Sequence, residues 1–304
     1  MNRRSWLVLT ALLLPPWGCR RAPPPPLAVW IDTDPSIGLK NKDVDDGLAL
    51  IQAFHSPELA VRGVGAVFGN APLDQSLPIA PEIAGRFGPP GLPVYSGAAN
   101  SAELGQETDA SRALQAALEK EKLTILALGP ATNIATVVKN HPELSARIIK
   151  IVAVAGRRPG QRFTTGTVNP KAHRDLNFEL DPEAFRVLLA SPAPLTLAPF
   201  EVSSKVWIEK SDLDRLARSG PAGRYLAQAG EGWLGLWQDV FKVQGFNPFD
   251  ALAVGYLTSP KLIGCEPLQA EIKTLPDDVT EEKMQGTASA SKPYLLVSPL
   301  SAKG

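Results

Sequence analysis

The chain has 304 residues, 44% of them hydrophobic and 20% charged, which suits a packed globular domain rather than a disordered or fibrous chain. Lysine plus arginine equals aspartate plus glutamate at 31 each, so no basic excess calls for nucleic acid. Two cysteines, Cys19 and Cys265, are too few for a disulfide framework.

The chain opens with a targeting pattern. Arg3 and Arg4 precede an apolar run over residues 6–14, too short to span a bilayer as a mature helix, and Gly18-Cys19 closes it. This order is similar to a bacterial lipoprotein signal, although Pro16 stands where that signal usually carries leucine. Residues 1–19 are therefore expected to be a signal segment with Cys19 as lipid anchor, the only link to a membrane, on an exported protein of the periplasm or cell envelope. Plain secretion is the alternative. Residues 20–26 contain four consecutive prolines and predict a stiff spacer. One domain is expected over residues 27–304.

From Leu27 onward strand and helix patterns alternate. Residues 27–31 predict a strand, 46–54 a helix and 59–68 a strand. Residues 111–119 predict a helix, 123–128 a wholly apolar strand, 132–139 a helix and 148–155 another strand. Residues 182–189 predict a helix, 195–198 a strand, and 212–250 a largely helical stretch. Near-continuous apolar strands alternating with helices imply an α/β fold: an open, mostly parallel sheet covered on both faces. Ligands of such sheets bind beyond the carboxyl ends of the strands.

The chemistry concentrates there. Asp32-Thr33-Asp34-Pro35-Ser36 ends the first strand, and Asp43-Val44-Asp45-Asp46 enters the first helix. Acids at a helix N-terminus are favourable caps. Five so close together repel unless a cation neutralises them, and oxygen donors without cysteine or histidine favour Ca²⁺ or Mg²⁺. On these residues alone, cation site and solvated cap are equally open.

Further stretches follow in order: Val67-Phe68-Gly69-Asn70; Leu128-Gly129-Pro130-Ala131-Thr132-Asn133; Asn169 with Asp175-Leu176-Asn177 and Asp181-Pro182-Glu183-Ala184; and Phe249-Asp250-Ala251. Together with Asp32-Thr33-Asp34-Pro35 and Asp45-Asp46 they resemble the nucleoside hydrolases, whose first strand ends in Asp-x-Asp-Pro-Gly-x-Asp-Asp. The resemblance runs from about Val29 to Leu257. It implies a Rossmann-related fold and hydrolysis of an N-ribosidic bond by a Ca²⁺-bound water. Asp34, Asp46, Asp250 and the Leu128 carbonyl would hold Ca²⁺, with Asp34 also the catalytic base. Asp45, Asn70, Asn169, Asp175, Asn177 and Asp250 would bind substrate. Asp32 would orient the acidic loop, or merely end the strand in a turn. The partner implied is a small nucleoside or riboside, and a homo-oligomer remains open.

Three departures from the family pattern stand out. Residues 36–42 lengthen the acidic loop, Asp175 replaces glutamate, and Phe249 replaces the histidine that some members use to protonate the leaving base. His173 reads as a surface or structural residue, with a place in the pocket as the alternative; His55 and His141 read as helix-end residues. Trp233, Trp237, Phe241 and Phe246 pack a core or stack on a base. Two other functions remain in play: a lipid-anchored nucleoside- or ribose-binding protein without turnover, and a haloacid-dehalogenase-like phosphatase, whose nucleophile motif is also Asp-x-Asp.

Overall fold

The computed structural model describes residues 24–166, 171–277 and 291–299. The signal segment with Cys19, most of the spacer, and Asn169 lie outside them. Among the described residues no helix is long and apolar enough to cross a membrane.

The fold is α/β, as expected, around a parallel six-stranded sheet. Its first five strands are β1 (Leu27–Thr33), β2 (Leu59–Ala66), β3 (Val94–Ser96), β4 (Leu123–Ala127) and β5 (Ile148–Ala153). Strand Leu195–Leu197 completes the order β3-β2-β1-β4-β5 at the far edge. All pairings are parallel. Strand order therefore runs outward from β1 and then reverses at β4. The reversal opens a crevice at the carboxyl ends of β1 and β4, where such sheets bind ligands.

Side chains alternate across the strands, so the buried strands feed two cores. Val29, Ile31, Leu126 and Val152 face one core, together with helix α1 (Asp45–Phe54) and helices Pro221–Phe241 and Phe249–Thr258. Trp30, Ile125, Ile151 and Ala153 face the other, with helices Asp109–Lys120, Thr132–Asn140 and Pro182–Ala190. Asp181 caps the last of these: its carboxylate accepts from the Ala184 N–H at 3.0 Å and from the Thr132 hydroxyl at 2.6 Å.

Several expectations need correction. The expected helical stretch over 212–250 is two helices, Lys210–Ala217 and Pro221–Phe241, separated at Gly220, whose φ of +123° suits glycine. Helix Pro221–Phe241 ends at left-handed Lys242, and Gly245–Phe246 then pairs with Ile208–Glu209 before helix Phe249–Thr258 begins. Helix Ile79–Phe87, edge strand β3 and an antiparallel hairpin, Leu268–Pro276 with Ser291–Pro299, were not anticipated. The hairpin docks on the loop after β5, where Arg157 N–H donates to Leu295 O at 3.0 Å and Val297 N–H to Arg157 O at 2.9 Å.

Candidate active site

The end of β1 and the start of α1 meet because the intervening loop is anchored. Ile37, 2% exposed, packs on Gly47, where a Cβ would lie 2.6 Å from the Ile37 Cδ1. The Ser36 hydroxyl donates to Asp43 O at 2.9 Å. The Asp43 carboxylate accepts from the N–H groups of Val44 and Asp45, at 2.6 and 3.1 Å. The lengthened loop thus folds outward and returns Asp45 and Asp46 to the strand end.

There the carboxylates interlock. Asp46 Oδ1 accepts from the Thr33 hydroxyl and from the Asp34 N–H at 3.1 Å, and its Oδ2 accepts from Asn70 Nδ2 at 3.1 Å. The Asn70 N–H donates to Asp34 Oδ2 at 2.6 Å. Asp34 Oδ1 is buried and finds no hydrogen-bond partner among the described residues. Only glycine fits at 69, where a Cβ would overlap Asp34 Oδ2; a Cβ at Gly129 would lie 2.7 Å from Asp34 Oδ1. Asp250, in the first turn of helix Phe249–Thr258, completes the cluster. Carboxylate oxygens of Asp45, Asp46 and Asp250 all lie within 4.8 Å of one another.

Burial without a counter-charge is costly for carboxylates. Desolvation first, then repulsion from neighbouring acids, holds Asp34, Asp45 and Asp250 well above the usual carboxylate range. Asp46 rises to about 6, chiefly through burial, with the Thr33 hydroxyl pulling it back.

A cavity of about 500 Å³ opens on this cluster, lined there by Asp43, Asp45, Asn70 and Asp250, with Asp34 and Asp46 behind them. Leu128, Asp175 and Asn177 also line it. Asn177 Nδ2 donates to Leu128 O at 2.7 Å and to Val154 O at 3.1 Å. Asp175 accepts from the Gly156 N–H at 2.8 Å, and burial lifts its pKa to about 7. The far end is aromatic: Phe163, His173, Phe200, Trp233, Trp237, Phe241 and Phe249. Phe200 lies 4.5 Å from Phe163 and 6.0 Å from Phe249 between ring centroids, and Trp237 lies 5.1 Å from Phe241.

The site residues named from sequence and described here gather in or against this cavity, with three adjustments. Asp45, expected to hold sugar, stands in the close carboxylate trio with Asp46 and Asp250, while Asp34 supplies the buried unpartnered oxygen beside them. The Leu128 carbonyl, expected to face a cation, already accepts from Asn177. His173 lines the cavity instead of lying on the surface. Asp32, at the end of β1, is 1% exposed, and Asn133 Nδ2 reaches both its oxygens at 3.2 Å. Burial raises its pKa to about 7. Of the four aromatics, Trp233, Trp237 and Phe241 line the cavity, whereas Phe246 is fully buried in the core. His55 and His141 do end helices. Sequence reasoning missed Phe163 and Phe200. Phe200 follows the carboxyl end of Leu195–Leu197, so the strand-end rule could have found it; Phe163 lies in a loop with no periodicity to flag it.

Residues 29–293 match the model of the inosine-uridine preferring nucleoside hydrolases. The chain belongs to that family. Its relatives include uridine nucleosidase 1 of Arabidopsis thaliana, 29% identical over 60% of this chain and 59% of that protein. The match thus spans about three fifths of the plant protein. The pyrimidine-specific ribonucleoside hydrolase RihA of Klebsiella pneumoniae is 25% identical, over 78% of this chain and 81% of its own. Among solved structures, a plant nucleoside hydrolase, PpNRh1, superposes with a TM-score of 0.68 at 22% identity, covering 91% of this chain and 95% of that one. A purine-preferring ribonucleoside hydrolase from Gardnerella vaginalis gives 0.65 at 24% identity, covering 82% of each. At these identities the superpositions speak for the fold.

Proposed function

We propose that the protein hydrolyses the N-glycosidic bond of a ribonucleoside or related N-riboside. One observation carries the reading: a single cavity is lined both by members of a buried carboxylate cluster at the strand ends and by a box of aromatic rings, together with Asn70, Asp175 and Asn177. A ribose fits the first half and a planar base the second.

The acidic half suits a hard divalent cation, Ca²⁺ in this reading. Its donors are all oxygens, three carboxylates converge, and Asp34 Oδ1 is buried without a partner. Asp34, Asp46 and Asp250 would hold the ion, with Asp45 close by and the Leu128 carbonyl on the same wall. A bound cation supplies Lewis-acid activation of water and neutralises the acids. The chain's own groups do the rest. Asp34, fixed by the Asn70 N–H, takes the proton of the attacking water. Asp175, Asn70, Asn169 and Asn177 hold the sugar hydroxyls; with its Nδ2 committed to two carbonyls, Asn177 offers its Oδ1. Fixing the sugar lowers the barrier to an oxocarbenium-like transition state.

A reducing-sugar assay on a panel of ribonucleosides tests the reading. Sugar release from at least one nucleoside is expected. Binding without release would leave a nucleoside-binding protein, and phosphate release from phosphate esters would point to phosphatase chemistry. The order Arg3-Arg4, apolar run, Gly18-Cys19 and prolines supports a further proposal, export with a lipid anchor on Cys19. Replacing Cys19 by serine should move the protein from the membrane to the soluble fraction.

A further inference from the structure

Among the described residues three buried nitrogens of the aromatic half have no hydrogen-bond partner, Nε1 of Trp233, Nε1 of Trp237 and Nε2 of His173, and only the last belongs to a side chain that can both donate and accept. The position of His173 is set by backbone: Lys171–Ala172 pairs with Thr164–Thr165, and the His173 N–H donates to Phe163 O at 2.6 Å. Its ring stands among the others, 4.8 Å from Phe241, 6.1 Å from Trp237 and 6.3 Å from Phe200. Trp237 and Phe200 are also the ring neighbours of Phe249, so His173 and Phe249 belong to one aromatic box.

The His173 Nε2 is buried and has no hydrogen-bond partner among the described residues. A buried polar atom left unpaired in an apolar wall is unfavourable, and a wall built only for packing would be better made of another phenyl ring. The arrangement is explained by a ligand that brings the missing partner. We infer that His173 is the base-reading residue of this cavity: its imidazole hydrogen-bonds the edge of a planar heterocyclic base while the neighbouring rings stack on the base's faces. The inference rests on the N-riboside reading and deepens it by assigning the aglycone class: nucleobases with an edge carbonyl or ring nitrogen, such as uracil or hypoxanthine, rather than plain aryl groups.

Burial lowers the His173 pKa to about 4, so the ring is uncharged near neutrality. A neutral imidazole offers one N–H donor and one acceptor nitrogen. It therefore holds the departing base by a hydrogen bond and is not a store of protons for transfer. A polar reader discriminates by being left unpaired when the wrong aglycone binds.

The test compares kcat/KM for uridine, inosine and p-nitrophenyl riboside in wild type, His173→Phe and His173→Gln, with circular dichroism to confirm folding. The nitrophenyl aglycone leaves without hydrogen-bond help. His173→Phe should lower the ratio of nucleoside to nitrophenyl turnover about tenfold. His173→Gln can hydrogen-bond but cannot be protonated, and it should restore part of the ratio. An unchanged ratio in His173→Phe, or a glutamine variant no better than phenylalanine, would overturn the assignment. If wild type hydrolyses none of the three substrates, the hydrolase reading fails by itself. Quenching of tryptophan fluorescence by uridine and inosine then decides about His173: tenfold weaker binding in His173→Phe supports it, and equal binding, or none by wild type, overturns it.

Discussion

The acidic and aromatic halves of the cavity are built from opposite kinds of force. In the acidic half, Asp34, Asp45, Asp46 and Asp250 are forced together by backbone: the β1 end, the α1 start and the first turn of helix Phe249–Thr258. Their side chains repel, and burial raises each of them above the ordinary carboxylate range. In the aromatic half, Phe163, Phe200, Trp237, Phe241 and Phe249 come from four separate stretches of chain and attract one another through ring contacts. One half needs something from outside to be at rest; in the other the rings pack on one another, and only the Nε2 of His173 and the Nε1 atoms of Trp233 and Trp237 lack partners among the described residues. Loss of a cation should therefore strike chemistry and acid titration while leaving the base-binding wall in place.

The largest expected effect is at Asp34. Asp34→Asn keeps the shape but cannot take a proton, and turnover should fall by about 10²–10⁴ or more. Steady-state rates with a circular dichroism spectrum check this; wild-type turnover would remove Asp34 from the chemistry. A comparable effect is expected from the aromatic side. With Phe249 lining that end and no protonated histidine there, p-nitrophenyl riboside should outrun inosine by about 10²–10⁴, the usual worth of general-acid help. Phe249→His should narrow the gap. Equal, fast turnover of both substrates by wild type would show that no acid is missing.

Next comes the loop that holds the acidic half together. Ile37 is buried against α1, so Ile37→Ala should cost about 2–5 kcal/mol of stability. Chemical denaturation measures it, and a loss below about 1 kcal/mol would mean that the loop anchors elsewhere. The last effect, seen only as a change of slope with pH, concerns Asp175 in the same cavity. Burial lifts its pKa to about 7 in the fold, against about 3.9 unfolded. The folded state holds that proton more tightly, so its contribution is fully present below about pH 4 and is lost as pH climbs through about 7. The slope is at most about 1.4 kcal/mol per pH unit. Asp175→Asn should flatten this part of the stability profile between about pH 4 and 7; an identical profile in the variant would place the titration on another group.

The two halves also differ in how far they could be read in advance. Acids at a strand end and a helix start are local in sequence, so Asp32, Asp34, Asp45 and Asp46 stood out, and Asn70, Asp175, Asn177 and Asp250 followed from motif order. What local pattern did not reveal is which oxygens meet: the trio includes Asp45, and Leu128 O is shared with Asn177. The aromatic half depends on contacts distant in sequence. Trp237 and Phe241 read first as core, and Phe163, Phe200 and the inward turn of His173 have no periodic signature. The fold shows the same division. The buried strands β1, β4 and β5 announce themselves by apolar runs, whereas edge strand β3 and the half-exposed strand Leu268–Pro276 do not; the buried run from Tyr294 to Val297 in Ser291–Pro299 was legible but not anticipated.

The most direct test of the central claim is a calcium titration of chelator-stripped protein, read by release of reducing sugar from a nucleoside substrate. The account predicts no turnover in the stripped protein, recovery that saturates with a single class of ion, and no recovery in Asp46→Asn or Asp250→Asn at the same calcium. Turnover undiminished by chelation, or equal recovery in both variants, would contradict it.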